Sequence, residues 1–75
     1  MSNETLIIYT IENTIDLYNH NYYIFKEPQK KTDDYWINIA WNILIESQEK
    51  LKRQNIYLGD DAIEMVYELM IKRLN

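Results

Sequence analysis

Residues 33–54 read DDYWINIAWNILIESQEKLKRQ and carry the strongest helix signal in the chain. Thr32, Asp33 and Asp34 precede the first apolar residues, placing an N-cap oxygen and negative charge where a helix start leaves its amides unpaired. From residue 35 to residue 45 the stretch is apolar nearly all round, broken only by Asn38 and Asn42. Ile37, Trp41 and Leu44 form one stripe at helical spacing, and Trp36, Ile39/Ala40 and Ile43 form a second. Two stripes on one helix mean apolar surface on two sides. The β-branched residues alone would suit a strand, but the helix-forming continuation ESQEKLKRQ argues against one. Beyond Glu46, Leu51 is the only large apolar residue left. Glu46 with Lys50, and Glu49 with Arg53, stand at i,i+4 with the acid first, a stabilising order. Lys50, Lys52 and Arg53 near the end suit the helix dipole, a simpler account of them than phosphate binding.

On the N-terminal side, Ile8, Ile11, Ile15, Tyr18, Tyr22 and Phe25 recur at steps of 3, 4, 3, 4 and 3. That seam predicts a helix over residues 4–26, capped by Ser2 or Asn3. The competing reading is a strand over residues 5–11, rich in β-formers, paired as a hairpin with residues 22–25. Continuity of the seam across both segments favours the helix, and the Asn19–Asn21 cluster marks where it would break. Pro28 disfavours helix at Glu27, so residues 27–31 read as a short connection.

On the C-terminal side, Asn55 is suited to a left-handed helix cap. Ile56, Tyr57 and Leu58 are expected to tuck against the bundle end, and Gly59 to permit the turn. Asp60 or Asp61 caps a last helix over residues 60–74, with Asp61 and Glu64 at capping-box spacing. Its seam is Ile63, Val66/Tyr67, Met70 and Leu74, and Met65, Leu69 and Ile71 widen the apolar surface. The fold expected is therefore all-α, a three-helix bundle with helices at 4–26, 33–54 and 60–74 in a single domain, 1–75. The alternative is an α+β fold with an N-terminal β-hairpin packed on two helices.

Seventy-five residues bound the chain to one domain, and a short chain gains burial by pairing. There is no cysteine, which removes disulfides and cysteine-based metal sites. The N-terminus lacks the basic region and cleavage site of a signal peptide, and no apolar run is long enough to span a bilayer. A soluble, cytoplasmic protein without a membrane partner is expected. The net charge of −4 divides as −3 over residues 1–27, +1 over 28–54 and −2 over 55–75.

Chemistry finds little support. His20, the only histidine, sits among asparagines off the seam and reads as a surface residue. Glu64 and Glu68 share a helix face, but the Glu-x-x-His of a di-metal site is absent. Ser2 and Ser47 lack a base with an orienting partner, and one glycine cannot build a phosphate loop. No catalytic, cofactor-binding or metal-binding residue is assigned, and no enzyme is expected. As a DNA-reading helix the last helix would present Asp60, Asp61 and Glu64 to phosphates, so no direct nucleic-acid contact is expected either. The basic cluster at residues 50–53 has no aromatic platform interleaved with it.

The remaining signal is aromatic: two tryptophans and seven tyrosines against one phenylalanine. Tyr9, Tyr23, Tyr35, Trp36 and Tyr57 cannot all reach the centre of so small a bundle, and exposed Trp and Tyr are what interface hot spots use. Trp41 shares the stripe that continues to Leu51, which predicts that it anchors the core. Trp36 lies roughly 140° around the helix. With Tyr35, Ile39 and Ile43, it is expected to form a protein interface. The function expected is a non-enzymatic protein-binding module, a small regulator or inhibitor that occupies a larger protein. The alternatives are a self-assembling adaptor, homodimeric through that Trp-rich face, and an acidic decoy for a nucleic-acid-binding protein, for which −4 is thin.

Overall fold

Thr32 caps the central helix: its Oγ1 accepts the Tyr35 amide at 3.2 Å, opening α2 at Asp33–Lys52. The computed structural model describes residues 2–22 and 24–74, the side chains of Gln29 and Leu74 excepted, so Tyr23 and the seam position of Leu74 lie outside it. Before α2 come α1, Asn3–Tyr22, and a single 3-10 turn, Pro28–Lys30; after it comes α3, Ala62–Leu74. No strand occurs among the described residues, and residues 5–11 are helical. The protein is an all-α three-helix bundle, and the hairpin alternative does not form.

Local chemistry sets most boundaries. Ser2 opens α1, its Oγ accepting the Thr5 amide at 3.2 Å. The helix stops at Tyr22, four residues short of the expected end, because Asn19 intervenes. Its Oδ1 accepts the Phe25 amide at 3.1 Å and so stabilises a chain reversal in place of another helical turn. Ile24 then drops fully into the core, and Phe25 lies against Trp36 with ring centroids 6.0 Å apart. At the far end of α2 the Ile56 amide donates to the Leu51 carbonyl and the Asn55 amide to that of Lys52. Together with φ 60° at Asn55, this is a Schellman cap, and the side chains of Ile56 and Leu51 are both buried. Asn55, and not Gly59, supplies the left-handed residue; Gly59 has no positive φ. Tyr57, expected to tuck in with its neighbours, is exposed, while Ile56 is buried and Leu58 half-buried. Main-chain bonds start α3, from the Ala62 amide to Gly59 and from the Glu64 amide to Asp61.

The helices alternate in direction. Thr14 meets Lys50, Tyr18 meets Asn42 and Phe25 meets Trp36, so α1 and α2 run antiparallel. The half-buried Tyr18 phenol is pushed above its usual pKa, by burial first and then by the Glu46 carboxylate, while Asn42 pulls the other way. Ile11 and Ile15 of α1, Trp36, Ala40 and Ile43 of α2, and Val66 and Met70 of α3 share one core with Ile24. The seam expected for α1 holds at Ile11 and Ile15, but Tyr22 is exposed and Thr14 is buried. The i,i+4 partner expected for Lys50 is replaced: its Nζ crosses to Thr14 Oγ1 at 2.9 Å. Arg73, placed by sequence in the last turn of α3, reaches Asp16 and Glu12 of α1.

Three substitutions test the packing. Ile15→Asp puts an unpaired charge at a fully buried site and is expected to abolish the cooperative melt seen by circular dichroism, whereas exposed His20→Ala leaves it unchanged. Ser47 is also fully buried, and among the described residues its Oγ has no hydrogen-bond partner. Ser47→Ala removes that unpaired hydroxyl while keeping the side chain small, so urea denaturation should show a gain of up to about 1 kcal/mol.

Candidate functional site

The face that matters is set by which stripe of α2 is buried. Trp36, Ala40, Ile43, Ser47 and Leu51 follow one another at steps of four, three, four and four, and all are buried. This is the second of the two sequence stripes, so the expected burial of the two tryptophans is reversed. Trp36 is 5% exposed and Trp41 45%. Trp36 is held edge-on by Tyr35 at 5.1 Å and stacked obliquely by Phe25. The residues expected at an interface, Tyr35, Trp36, Ile39 and Ile43, are therefore core or its flank: Ile43 is fully buried, and Tyr35 and Ile39 are half-buried against it. Tyr35 also carries the Lys31 ammonium over its ring, 5.5 Å from the centroid. Trp36 and Ile43 thus offer almost no surface, while Tyr35 and Ile39 keep part of theirs.

What α2 leaves outside is part of the first stripe, Ile37 and Trp41, with Ile45 beside it, whereas Leu44 of that stripe is half-buried against the core. Ile37, Trp41 and Ile45 are one turn apart and 42%, 45% and 59% exposed. Between them and α3 runs a groove of about 480 Å³ with Ile37, Ala40 and Trp41 on one wall and Ile63 and Tyr67 on the other. Trp41 also forms one side of a second hollow of about 240 Å³, continued by Leu44, Ile45 and Leu58. The two hollows share the indole, making one apolar trough along the outer side of α2 and α3.

The end wall of the trough is preset. Gln48 donates from Nε2 to the Ile56 carbonyl at 3.0 Å and accepts the Leu58 amide at Oε1, at 2.7 Å. Both ends of one amide thus pin residues 56–58 to α2 and hold Leu58 in place. The charged residues lining the trough are all acids: Glu64 and Glu68 on the α3 side, Glu49 and Asp60 at the loop end. Among the described residues lining it there is no lysine or arginine. The charged rim and the exposed tryptophan were readable as residue types in the sequence; their meeting on one face was not.

A second groove, of about 510 Å³, lies between α1 and the end of α2, where exposed Tyr9 and Leu17 stand beside Thr10, Asn13, Asp16 and Lys50. It is mostly apolar, with one acid and one base, Asp16 and Lys50, on its lining. Among the described residues no group of three or more His, Asp and Glu side chains is arranged to hold a metal ion, and none of the helices is long and apolar enough to cross a membrane.

The reversal is tested by melting both variants. Trp36→Ala should cost about 3–5 kcal/mol, as expected for a buried tryptophan. Trp41→Ala should cost about 1 kcal/mol or less, since nearly half of the side chain already meets water. Equal losses in the two would mean that Trp41 belongs to the core as well.

The chain matches no protein-family model, no curated protein and no solved structure.

Proposed function

We propose that this protein is a non-enzymatic protein-binding module that acts by occupying a larger protein, as a small regulator or inhibitor, through the trough between α2 and α3. The observation that carries this reading is Trp41: a large aromatic side chain left nearly half exposed in an apolar, walled depression. Tryptophan in such a setting is the commonest kind of binding hot spot, because covering it removes a large apolar area from water without ordering a flexible chain. The Gln48 clamp supports the same reading, since a wall already in place lowers the ordering cost of association.

Self-assembly through this surface is the competing reading. A symmetric pair joined trough to trough would set Glu64, Glu68, Glu49 and Asp60 of one protomer near the same acids of the other, and like charges in a closing interface oppose it. The protein is thus expected to run as a monomer at micromolar concentration in light scattering after gel filtration. In capture from source-cell lysate, a partner held by the wild type and by Tyr9→Ala should be lost with Trp41→Ala, a change of about 2 kcal/mol or more in association. A dimer that Trp41→Ala dissociates would replace this reading with the adaptor one.

A further inference from the structure

We infer that the occupant of the trough is a basic amphipathic helix of the partner protein, an inference that rests on the docking role proposed for Trp41. Three features converge on it. The first is shape. Ile37, Trp41 and Ile45 repeat at i, i+4 and i+8, so the apolar row advances about 12 Å along α2 as a ridge slightly inclined to its axis. A floor that follows one helix, walled by a second, is the complement of a third helix laid alongside, with apolar side chains at i, i+3 or i+4 and i+7. A strand finds no open sheet edge here, because the surface is built from helices whose main-chain groups are bonded within them.

The second feature is charge. Glu64 and Glu68, one turn apart on α3, stand along one side of the floor, and Glu49 and Asp60 stand at its loop end. Among the described residues none of these four acids is in a salt bridge, and no cation lines the trough, so their charge is available to a partner. Lysine or arginine flanking the apolar stripe of an incoming helix would meet them at the rim, where such pairs steer association and fix the register. The third feature is what these acids exclude. An acidic helix, a second copy docked symmetrically and an anionic membrane surface would each bring negative charge to negative charge.

The test uses the full chain and three fluorescent synthetic peptides of about 14 residues, long enough for roughly four helical turns. One is a leucine–lysine peptide with helical amphipathic spacing, one replaces each lysine by glutamate, and one scrambles the first so that no apolar face forms. By anisotropy, the leucine–lysine peptide should bind, and the glutamate and scrambled peptides should bind at least about tenfold more weakly. Trp41→Ala should weaken the first peptide by about 30-fold, a hot-spot loss. The double variant Glu64→Gln with Glu68→Gln should weaken it severalfold and flatten its salt dependence. Glu4→Gln with Glu27→Gln, which removes the same charge from exposed residues that do not line the trough, should not.

Failures of the two readings differ in kind. If the glutamate peptide binds equally well and Trp41→Ala still releases it, the trough docks helices but does not select basic ones, and this inference falls while the docking role stands. If the leucine–lysine peptide binds but Trp41→Ala has no effect, the attraction is general to an acidic protein and both readings fall at this surface. Dimerisation lost on Trp41→Ala would make a second copy the occupant and overturn the inference as well.

Discussion

The fold depends on one strip of α2 that must serve two neighbours. α1 and α3 each pack closely on α2 and touch one another far less. The strip that both approach is Trp36, Ala40, Ile43, Ser47 and Leu51. Its two small members matter as much as its large ones. Ala40 and Ser47 are fully buried, so neighbouring side chains cover them. The large members fill the ends: Trp36 with Phe25 and Tyr35 at one, Leu51 with Ile56 at the other. Where α1 and α3 do meet, Arg73 adds an exposed link to Asp16 and Glu12, a contact of the kind that contributes little alone.

From that arrangement the exposed face follows. Two helices cannot surround a third, so one side of α2 stays open, and the chain places Ile37, Trp41 and Ile45 on it instead of charge. In a monomer this is surface that water solvates poorly, with no return in stability. Its neighbours behave differently from mobile surface residues. The Schellman cap and the two Gln48 hydrogen bonds hold the loop that ends the trough, so the depression exists before anything fills it. Its acids stand at the edge, where they keep their hydration and leave the floor apolar, the division of labour expected of an interface core and rim.

The starts of α1 and α2 and the cap that ends α2 were legible from the sequence because their causes are local. Ser2 and Thr32 cap α1 and α2, and Asn55 takes the left-handed position, each through bonds within six residues of chain. The three-helix class was legible too, since the apolar periodicity of 3.6 residues persists through each segment. So was the presence of more aromatic surface than one small core can hide. The early stop of α1 was half visible: the asparagine cluster marked it, but the Asn19 bond to the Phe25 amide exists only once the chain has turned back.

Which stripe of α2 faces inward was decided by tertiary structure alone. Read along the chain, Ile37, Trp41 and Leu44 make the heavier stripe and run on toward Leu51, while the stripe that is buried contains an alanine and a serine. Hydrophobicity ranks side chains one at a time and so undervalues small ones. Helix packing ranks them by how closely two backbones can approach, and there Ala40 and Ser47 are an advantage. The two stripes lie on either side of one helix, and nothing within α2 distinguishes them. The choice is made by Ile24 and Phe25, which fold back onto Trp36 after α1 ends, and by Val66 and Met70 of α3, residues remote in sequence whose positions no periodicity within α2 encodes.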